Sequence, residues 1–419
     1  MIFFIYNLIV LILVPVLLTR LFFKSFKDRG YLKNIRNRLG FYKEKGCDQA
    51  VWFHAVSLGE VISSEGLINN IIKDHNIVLT VSTPTGYRQA KKIFDDRVRV
   101  VYAPWDFYFF INNFINYFKP SALVIFETEI WPSMISLSSS KGLPIILSNA
   151  RLSKESNDKY SRMSFFMKKI FQKITLILAQ SKKHEDRFIK LGVNKNNIEK
   201  VGSLKFDIKL SYIENIKRDN NIIIAVSTHP GEEEIICNVF KDLMEYKSSL
   251  KCVLVPRHPE RSENVSKIFT KNEINNVIQD SIPNTFNENE VTILKGIGFL
   301  NNLYKMANIA FIGGSLSKSY GGHNIIEASA NQCPFIIGPH MKNFEDVVDQ
   351  YIRQSGCIQL KDASELYDAF IRLLNDDELK TNMIDNSLKV FEKNQGSLEK
   401  QYNYINKLLN QNEISNRNN

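Results

Sequence analysis

The chain has 419 residues, 44% of them hydrophobic and 23% charged, with a formal net charge of +10. That length exceeds one compact core and predicts two domains of ordinary size, while the composition excludes a disordered or fibrous chain. Five cysteines, Cys47, Cys237, Cys252, Cys333 and Cys357, form no CxxC pair and lie near no histidine at ligand spacing. No metal site is therefore expected, and the thiols read as reduced and mostly buried.

Residues 1–23 read MIFFIYNLIVLILVPVLLTRLFF, interrupted only by Asn7, Thr19 and Arg20. A helix of about 20 apolar residues is long enough to cross a bilayer. The basic residues follow the apolar run and no small-residue cleavage site is visible, so a retained membrane anchor is expected, not a cleaved signal peptide. Pro15 is a place for it to bend, and a tilted or interfacial helix is the alternative to a spanning one. Residues 24–45 then carry eight cations against two carboxylates, +6 of the formal +10. By the positive-inside rule the rest of the chain is cytoplasmic, and the cluster suits anionic lipid headgroups. Nucleic acid is not an expected partner, because the positive surplus sits beside an apolar span and not on a readable nucleic-acid module.

From residue 50 short apolar runs alternate with longer amphipathic stretches, the signature of βα units around parallel sheets. Strands are predicted at 51–56, 77–82, 98–102, 122–126, 145–148 and 176–179, then an irregular stretch at 209–220. Strands resume at 221–227, 251–255, 291–294, 308–312 and 335–337. A polar helical tail runs from about 376 and frays over 410–419. The expected architecture is α/β: an anchor at 1–23, a Rossmann-like domain at 24–208 and a second at 221–410. Ligands in such sheets bind beyond the carboxyl ends of the strands, so a cleft between the domains is the expected site.

The informative motifs follow the strands. Ser57-Leu58-Gly59-Glu60 comes after VWFHAV. Glu60 could take a proton from an acceptor hydroxyl; taken alone, it reads more readily as a helix-start carboxylate favoured by the helix dipole. Glu127-Thr128-Glu129-Ile130-Trp131-Pro132 follows ALVIF. Its two carboxylates could orient a catalytic group or hold a cation, the polar role being favoured because two carboxylates do not specify a metal, and Trp131 and Pro132 read as packing. Arg151, after Ser148-Asn149-Ala150, and Lys205, in Gly202-Ser203-Leu204-Lys205, are cations suited to a carboxylate or phosphate.

In the second half, Ser227-Thr228-His229-Pro230-Gly231-Glu232-Glu233 and Pro256-Arg257-His258-Pro259 each follow a strand. An arginine there can pair with a phosphate. Gly313-Gly314-Ser315 and Gly321-Gly322-His323-Asn324-Ile325-Ile326-Glu327 come next. Glycine pairs permit close backbone approach, and a following helix start offers N–H groups to an anion. Asn324 and Glu327 are expected on one face of that helix's first turn, with Glu327 suited to ribose hydroxyls. Neither a Walker loop nor GxGxxG is present, so ATPase and dinucleotide readings find no support.

SLGE, ETEIWP, NARLS, GSLKFD, STHPGEEE, PRHPER, GGSL, GGHNIIEASA and GPHMKNF occur in this order between about residues 50 and 350. The set resembles the bacterial 3-deoxy-D-manno-octulosonic acid (Kdo) transferases. The resemblance implies a GT-B fold and an inverting transfer of Kdo from CMP-Kdo to a lipid A precursor, at the cytoplasmic face of the inner membrane. No cofactor is implied beyond that donor substrate. By motif match Glu60 is the general base, with Glu127 or Glu129 and Lys205 stabilising the transition state. Pro256, Arg257, the turn Ile297, Gly298 and Phe299, the loop glycines Gly313, Gly314 and Gly322, and Asn324 and Glu327 hold CMP. The family usually has Asn where Ser203 stands and Glu at Phe299. A transferase using a UDP-sugar and a non-catalytic sugar-nucleotide-binding membrane protein are the alternatives.

Overall fold

The computed structural model describes residues 2–43, 49–208, 217–296 and 298–417. Of the site residues above only Ile297 lies outside the described residues, and so does Cys47. The chain forms two compact units, Met1–Asp207 with Gln395–Asn419, and Ile208–Asn394.

The first unit is built on strands β1 Val51–His54, β2 Ile77–Val81, β3 Arg99–Tyr102, β4 Ala122–Phe126, β5 Ile145–Ala150, β6 Leu176–Ala179 and β7 Ile198–Lys200. All pair in parallel, in the order β3-β2-β1-β4-β5-β6-β7. Helices cover both faces, so the central strands are continuous apolar runs and not alternating ones. Trp52, Leu123 and Ile125 enter one core, and Val51, Phe53, Val124 and Phe126 the other.

The second unit repeats the plan with β8 Ile222–Thr228, β9 Lys251–Pro256, β10 Asn276–Gln279, β11 Val291–Leu294, β12 Ile309–Ile312, β13 Phe335–Ile337 and β14 Ile358–Gln359. Its parallel order is β10-β11-β9-β8-β12-β13-β14. Strand order reverses at β1/β4 in the first sheet and at β8/β12 in the second, and such switch points are where open α/β sheets bind ligands.

The predicted strands are all present, most within one or two residues of the expected ends. Strand β1 stops two residues early, because the Val56 N–H turns from the ladder to the Glu60 carboxylate at 2.8 Å. The three strands without a prediction, β7, β10 and β14, are sheet edges. An edge strand is half covered, so it lacks the apolar run that marks a central one.

The tail corrects the expected second domain of 221–410. Helix Asp377–Asn394 closes the second unit, but helix Ser397–Arg417 belongs to the first. It is helical as far as Arg417, within the segment expected to fray. The Asp207 carboxylate accepts the N–H groups of Gly396 and Leu398, each at 2.7 Å. Gln401 Oε1 accepts Ser148 Oγ at 2.7 Å and the Asn149 N–H at 2.8 Å. Ile405 and Leu409 are buried in the core behind β1, with Leu398 and Tyr402 packed against it. These four residues recur at helical spacing, so one apolar stripe returns an otherwise polar helix to the first sheet.

Candidate functional site

In the first unit the β1/β4 switch point gathers the carboxylates. Ser57 caps helix Leu58–Ile71 by accepting the Glu60 N–H, and Glu60 answers by accepting from Ser57 Oγ at 2.9 Å. With Val56 N–H on its other oxygen, the carboxylate is fixed at the helix start. Burial pushes the Glu60 carboxyl up to about 7, the Val56 and Ser57 hydrogen bonds oppose this, and the negative charges of Glu129 and Glu127 push it further up. A carboxyl near 7 is matched to proton transfer at neutral pH.

Glu127, just past β4, adopts a left-handed backbone (φ 58°) and donates its N–H to the Ser148 carbonyl at 2.9 Å. Left-handed non-glycine residues are strained, and such strain gathers at functional sites. Glu129 accepts the Trp131 indole N–H at 2.9 Å; burial raises its carboxyl, and Glu127 adds to the rise. Trp131, expected only to pack, also orients a carboxylate. Its ring stands edge-on to His54, 4.7 Å between centroids. Burial depresses His54 to about 3, so it is neutral, and its Nδ1 meets Thr80 Oγ1 at 2.8 Å.

The cations close the group. Burial lowers the Lys205 ammonium, the charge of Glu127 opposes the shift and that of Arg151 adds to it. Ser203 caps the short turn Leu204–Phe206 that carries Lys205. Asn149, itself left-handed at φ 49°, accepts the Leu204 N–H at 3.2 Å. Thr128 Oγ1 donates to the Arg151 carbonyl, tying the two loops together. Asn149 was not singled out as a positioning residue in the sequence, where nothing marks its backbone conformation.

In the second unit the β8/β12 switch point joins the STHPGEEE stretch to the first glycine pair. Glu232 is the link. One oxygen accepts the His229 N–H at 3.0 Å and the Gly314 N–H at 2.7 Å; the other accepts the Leu316 N–H at 2.9 Å. It is 1% exposed, burial raises its carboxyl, and the N–H groups that it accepts oppose the rise while fixing the loop Gly313-Gly314-Ser315. Gly314 has φ +67°, and a Cβ there would lie 2.5 Å from the His323 ring. His323 Nε2 and His229 Nε2 are 2.7 Å apart, one donating to the other. His229 also stacks on Tyr320 with centroids 3.9 Å apart. Burial depresses both histidines to about 4; the charges of His258 and Arg257 lower His229 further, and His229, Arg257 and His258 lower His323.

Pro256 ends β9, and the next residue, Arg257, donates its N–H to the Thr228 carbonyl at 3.0 Å while its side chain is exposed. The second glycine pair is held from below, with Asn343 N–H donating to the Gly321 carbonyl at 2.8 Å and Gly322 N–H to Gly314 at 2.7 Å.

The expected helix start is displaced. The helix is Ile326–Ala330, so Asn324 precedes it. Asn324 Oδ1 accepts the Ile326 N–H at 3.1 Å, and its amide donates to Glu327 Oε1 at 3.0 Å. One of the N–H groups expected for an anion is thus taken by Asn324, and Asn324 and Glu327 act as a joined pair. Burial raises the Glu327 carboxyl, opposed by that hydrogen bond. Gly298, with φ +98°, and Phe299 lead into helix Leu300–Met306, whose Asn301 accepts from Asn331 beside the Glu327 helix at 3.2 Å. Among the described residues no group of three His, Cys, Asp or Glu is arranged to hold a metal ion.

Two Rossmann-like units with parallel sheets make this a GT-B-type fold. Solved neighbours share it, among them Staphylococcus aureus MnaA in complex with UDP (TM-score 0.58, 15% identity, 86% of this chain and 97% of that one). A glycosyltransferase from Rickettsia africae is similar too (TM-score 0.56, 14% identity, 87% and 98%). At such identities the likeness concerns fold alone. Residues 33–208 match the family model described as 3-deoxy-D-manno-octulosonic-acid transferase, and residues 213–390 match glycosyl transferases group 1. A 3-deoxy-D-manno-octulosonic acid transferase from Haemophilus influenzae is 33% identical over 95% of this chain and 96% of its own length. One from Rickettsia bellii is 28% identical over 96% and 99%. The chain belongs to the Kdo transferase family of glycosyltransferases.

Proposed function

We propose that the chain transfers Kdo from CMP-Kdo to a lipid A precursor in lipopolysaccharide synthesis, with Glu60 as general base. The observation that carries this is the Glu60 carboxylate, fixed at the first switch point and lifted to about 7. A sugar hydroxyl of the acceptor gives its proton to Glu60 as its oxygen attacks the anomeric carbon. The bond from that carbon to the CMP phosphate oxygen breaks, CMP leaves with the electron pair, and configuration inverts. Lys205, Glu127 and Glu129 hold charge around the reacting centre. Arg257 meets the phosphate. Glu327, steadied by Asn324, takes the ribose hydroxyls; Pro256, the Ile297–Phe299 turn and the backbone of Gly313, Gly314 and Gly322 line the nucleotide. The N-terminal helix and the basic segment after it attach the enzyme to the cytoplasmic face of the inner membrane, where anionic lipids meet the cations.

The test is purified protein with CMP-Kdo generated in place and a tetraacylated lipid A precursor, read by lipid mass. Gain of one or more Kdo units supports the reading and counts the sugars. No gain from a folded protein with verified donor overturns it and leaves UDP-sugars to be screened.

A further inference from the structure

Helix Ile2–Ser25 has 24 residues and is about 36 Å long at 1.5 Å per residue. Both of its ends are fastened to the first unit. At the N-terminal end Tyr6 donates to Asp106 at 2.7 Å. Asn7, only 8% exposed, accepts the Tyr108 N–H at 2.7 Å and the Ser133 hydroxyl at 3.1 Å. At the other end the chain turns through Arg29–Tyr31, where the Gly30 carbonyl accepts the Tyr102 hydroxyl at 3.0 Å and Asp28 pairs with Arg88 at 2.8 Å. Between the ends, Phe3, Asn7, Val10, Val14, Leu17 and Leu21 form one covered or half-covered stripe. The opposite side is bare: Phe4, Ile12 and Phe23 are 72%, 66% and 69% exposed.

A helix that crosses a hydrocarbon core about 30 Å thick leaves its ends on opposite sides of the membrane. A folded unit whose sheet and loops need water or protein partners cannot accompany it through. Here one such unit holds both ends. The body also extends the bare apolar side. Phe109 is 50% exposed next to Tyr108, and Phe165 is 65% exposed next to Phe166, whose ring lies 6.0 Å from Tyr6. At the C-terminal end an apolar groove of about 700 Å³, lined by Val16, Phe23 and Tyr31, is rimmed by Arg20, Lys24 and Lys27. Cations around an apolar groove complement the phosphates of anionic lipids.

We propose that this helix is an in-plane anchor, which enters one leaflet of an anionic bilayer side-on with both ends on the face that carries the enzyme. The proposal rests on the membrane attachment put forward above. It makes Tyr6, Asn7 and Asp106 positioning residues that hold the helix flat against the first unit, and it explains why polar groups sit inside an apolar run.

The test is the full chain carrying an epitope ahead of Met1, expressed in a Gram-negative host. Sealed inside-out vesicles are treated with a protease that cannot cross the bilayer. An in-plane helix leaves the epitope outside, and it is removed without detergent. An epitope protected until detergent is added overturns the proposal while leaving attachment intact. Protein absent from the vesicle fraction overturns both. Nitroxides placed singly at Phe4, Ile12 and Phe23 give a second reading that leaves the chain ahead of Met1 unaltered, with the unsubstituted chain as blank. Equal shallow depth at all three supports the in-plane helix; Ile12 far deeper than the other two sinks it.

Discussion

The two switch points have the same topology and surround their buried carboxylates with different neighbours. In the first unit burial raises Glu60 and Glu129, and neighbouring carboxylates add to it: Glu60 responds to Glu129 and Glu127, and Glu129 to Glu127. In the second, burial raises the Glu232 carboxyl too, but its neighbours are N–H groups that oppose the rise, and Glu233 pairs with Arg261. The contrast teaches that a carboxylate's position after a strand does not define its role. Glu60 keeps a protonation equilibrium near neutrality and suits proton transfer, while Glu232 is taken up in holding the backbone of the glycine loop.

The largest effect expected from breaking this contrast is at Glu60. Glu60→Gln keeps shape and Ser57 contact but removes the base, and kcat should fall about 10²–10⁴-fold. Binding of CMP, measured by calorimetry, should be unchanged. Near-normal turnover would remove Glu60 from the chemistry. The matching change in the second unit acts differently. Glu232→Ala leaves the buried N–H groups of His229, Gly314 and Leu316 without their acceptor, at about 1–3 kcal/mol for each unsatisfied group. Thermal unfolding should report a loss of about 3 kcal/mol or more, and CMP affinity should fall with it. A variant with wild-type stability would show that the glycine loop holds its shape without the carboxylate.

Much of this was legible in the sequence because central parallel strands and the turns after them have strong local signatures. Uninterrupted runs such as VWFHAV and ALVIF mark strands buried on both faces, and the residues that follow must lie at the carboxyl edge. What was hidden depends on partners far along the chain. Glu232 reads as one of three glutamates at a helix start, and only the fold shows that it alone reaches the loop 82 residues later. The His229–His323 contact joins residues 94 apart, and nothing local marks it. The tail was misplaced for the opposite reason. Its stripe of Leu398, Tyr402, Ile405 and Leu409 is visible, but a stripe does not name the sheet it covers.

That tail gives the next test. Gln401 serves the first site from behind by accepting from Ser148 and Asn149, the latter also positioning the Lys205 turn. Gln401→Leu leaves a buried hydroxyl and an N–H unpaired and should cost about 2 kcal/mol, read as a lower Tm. Since Asn149 and Lys205 lie in the first unit, kcat should fall while CMP affinity holds. A loss of CMP affinity instead would mean that the helix acts on the second unit.

The smallest effect is the most diagnostic. If Glu60 acts as base with a proton affinity near 7, only its ionised form works. At pH 6 about one molecule in ten carries that form, so kcat/KM should drop about tenfold per pH unit below 7 and level off above it, equivalent to about 1.4 kcal/mol at pH 6. The charge on Glu129 helps to hold this value up. Glu129→Gln removes one negative neighbour, so Glu60 should ionise more readily and the acid limb should move to lower pH. A Glu232→Gln protein, altered only in the second unit, should leave the limb in place whatever it does to CMP affinity. An acid limb that moves with Glu232 and not with Glu129 would transfer the titrating group to the nucleotide unit and reverse the roles assigned to the two sites.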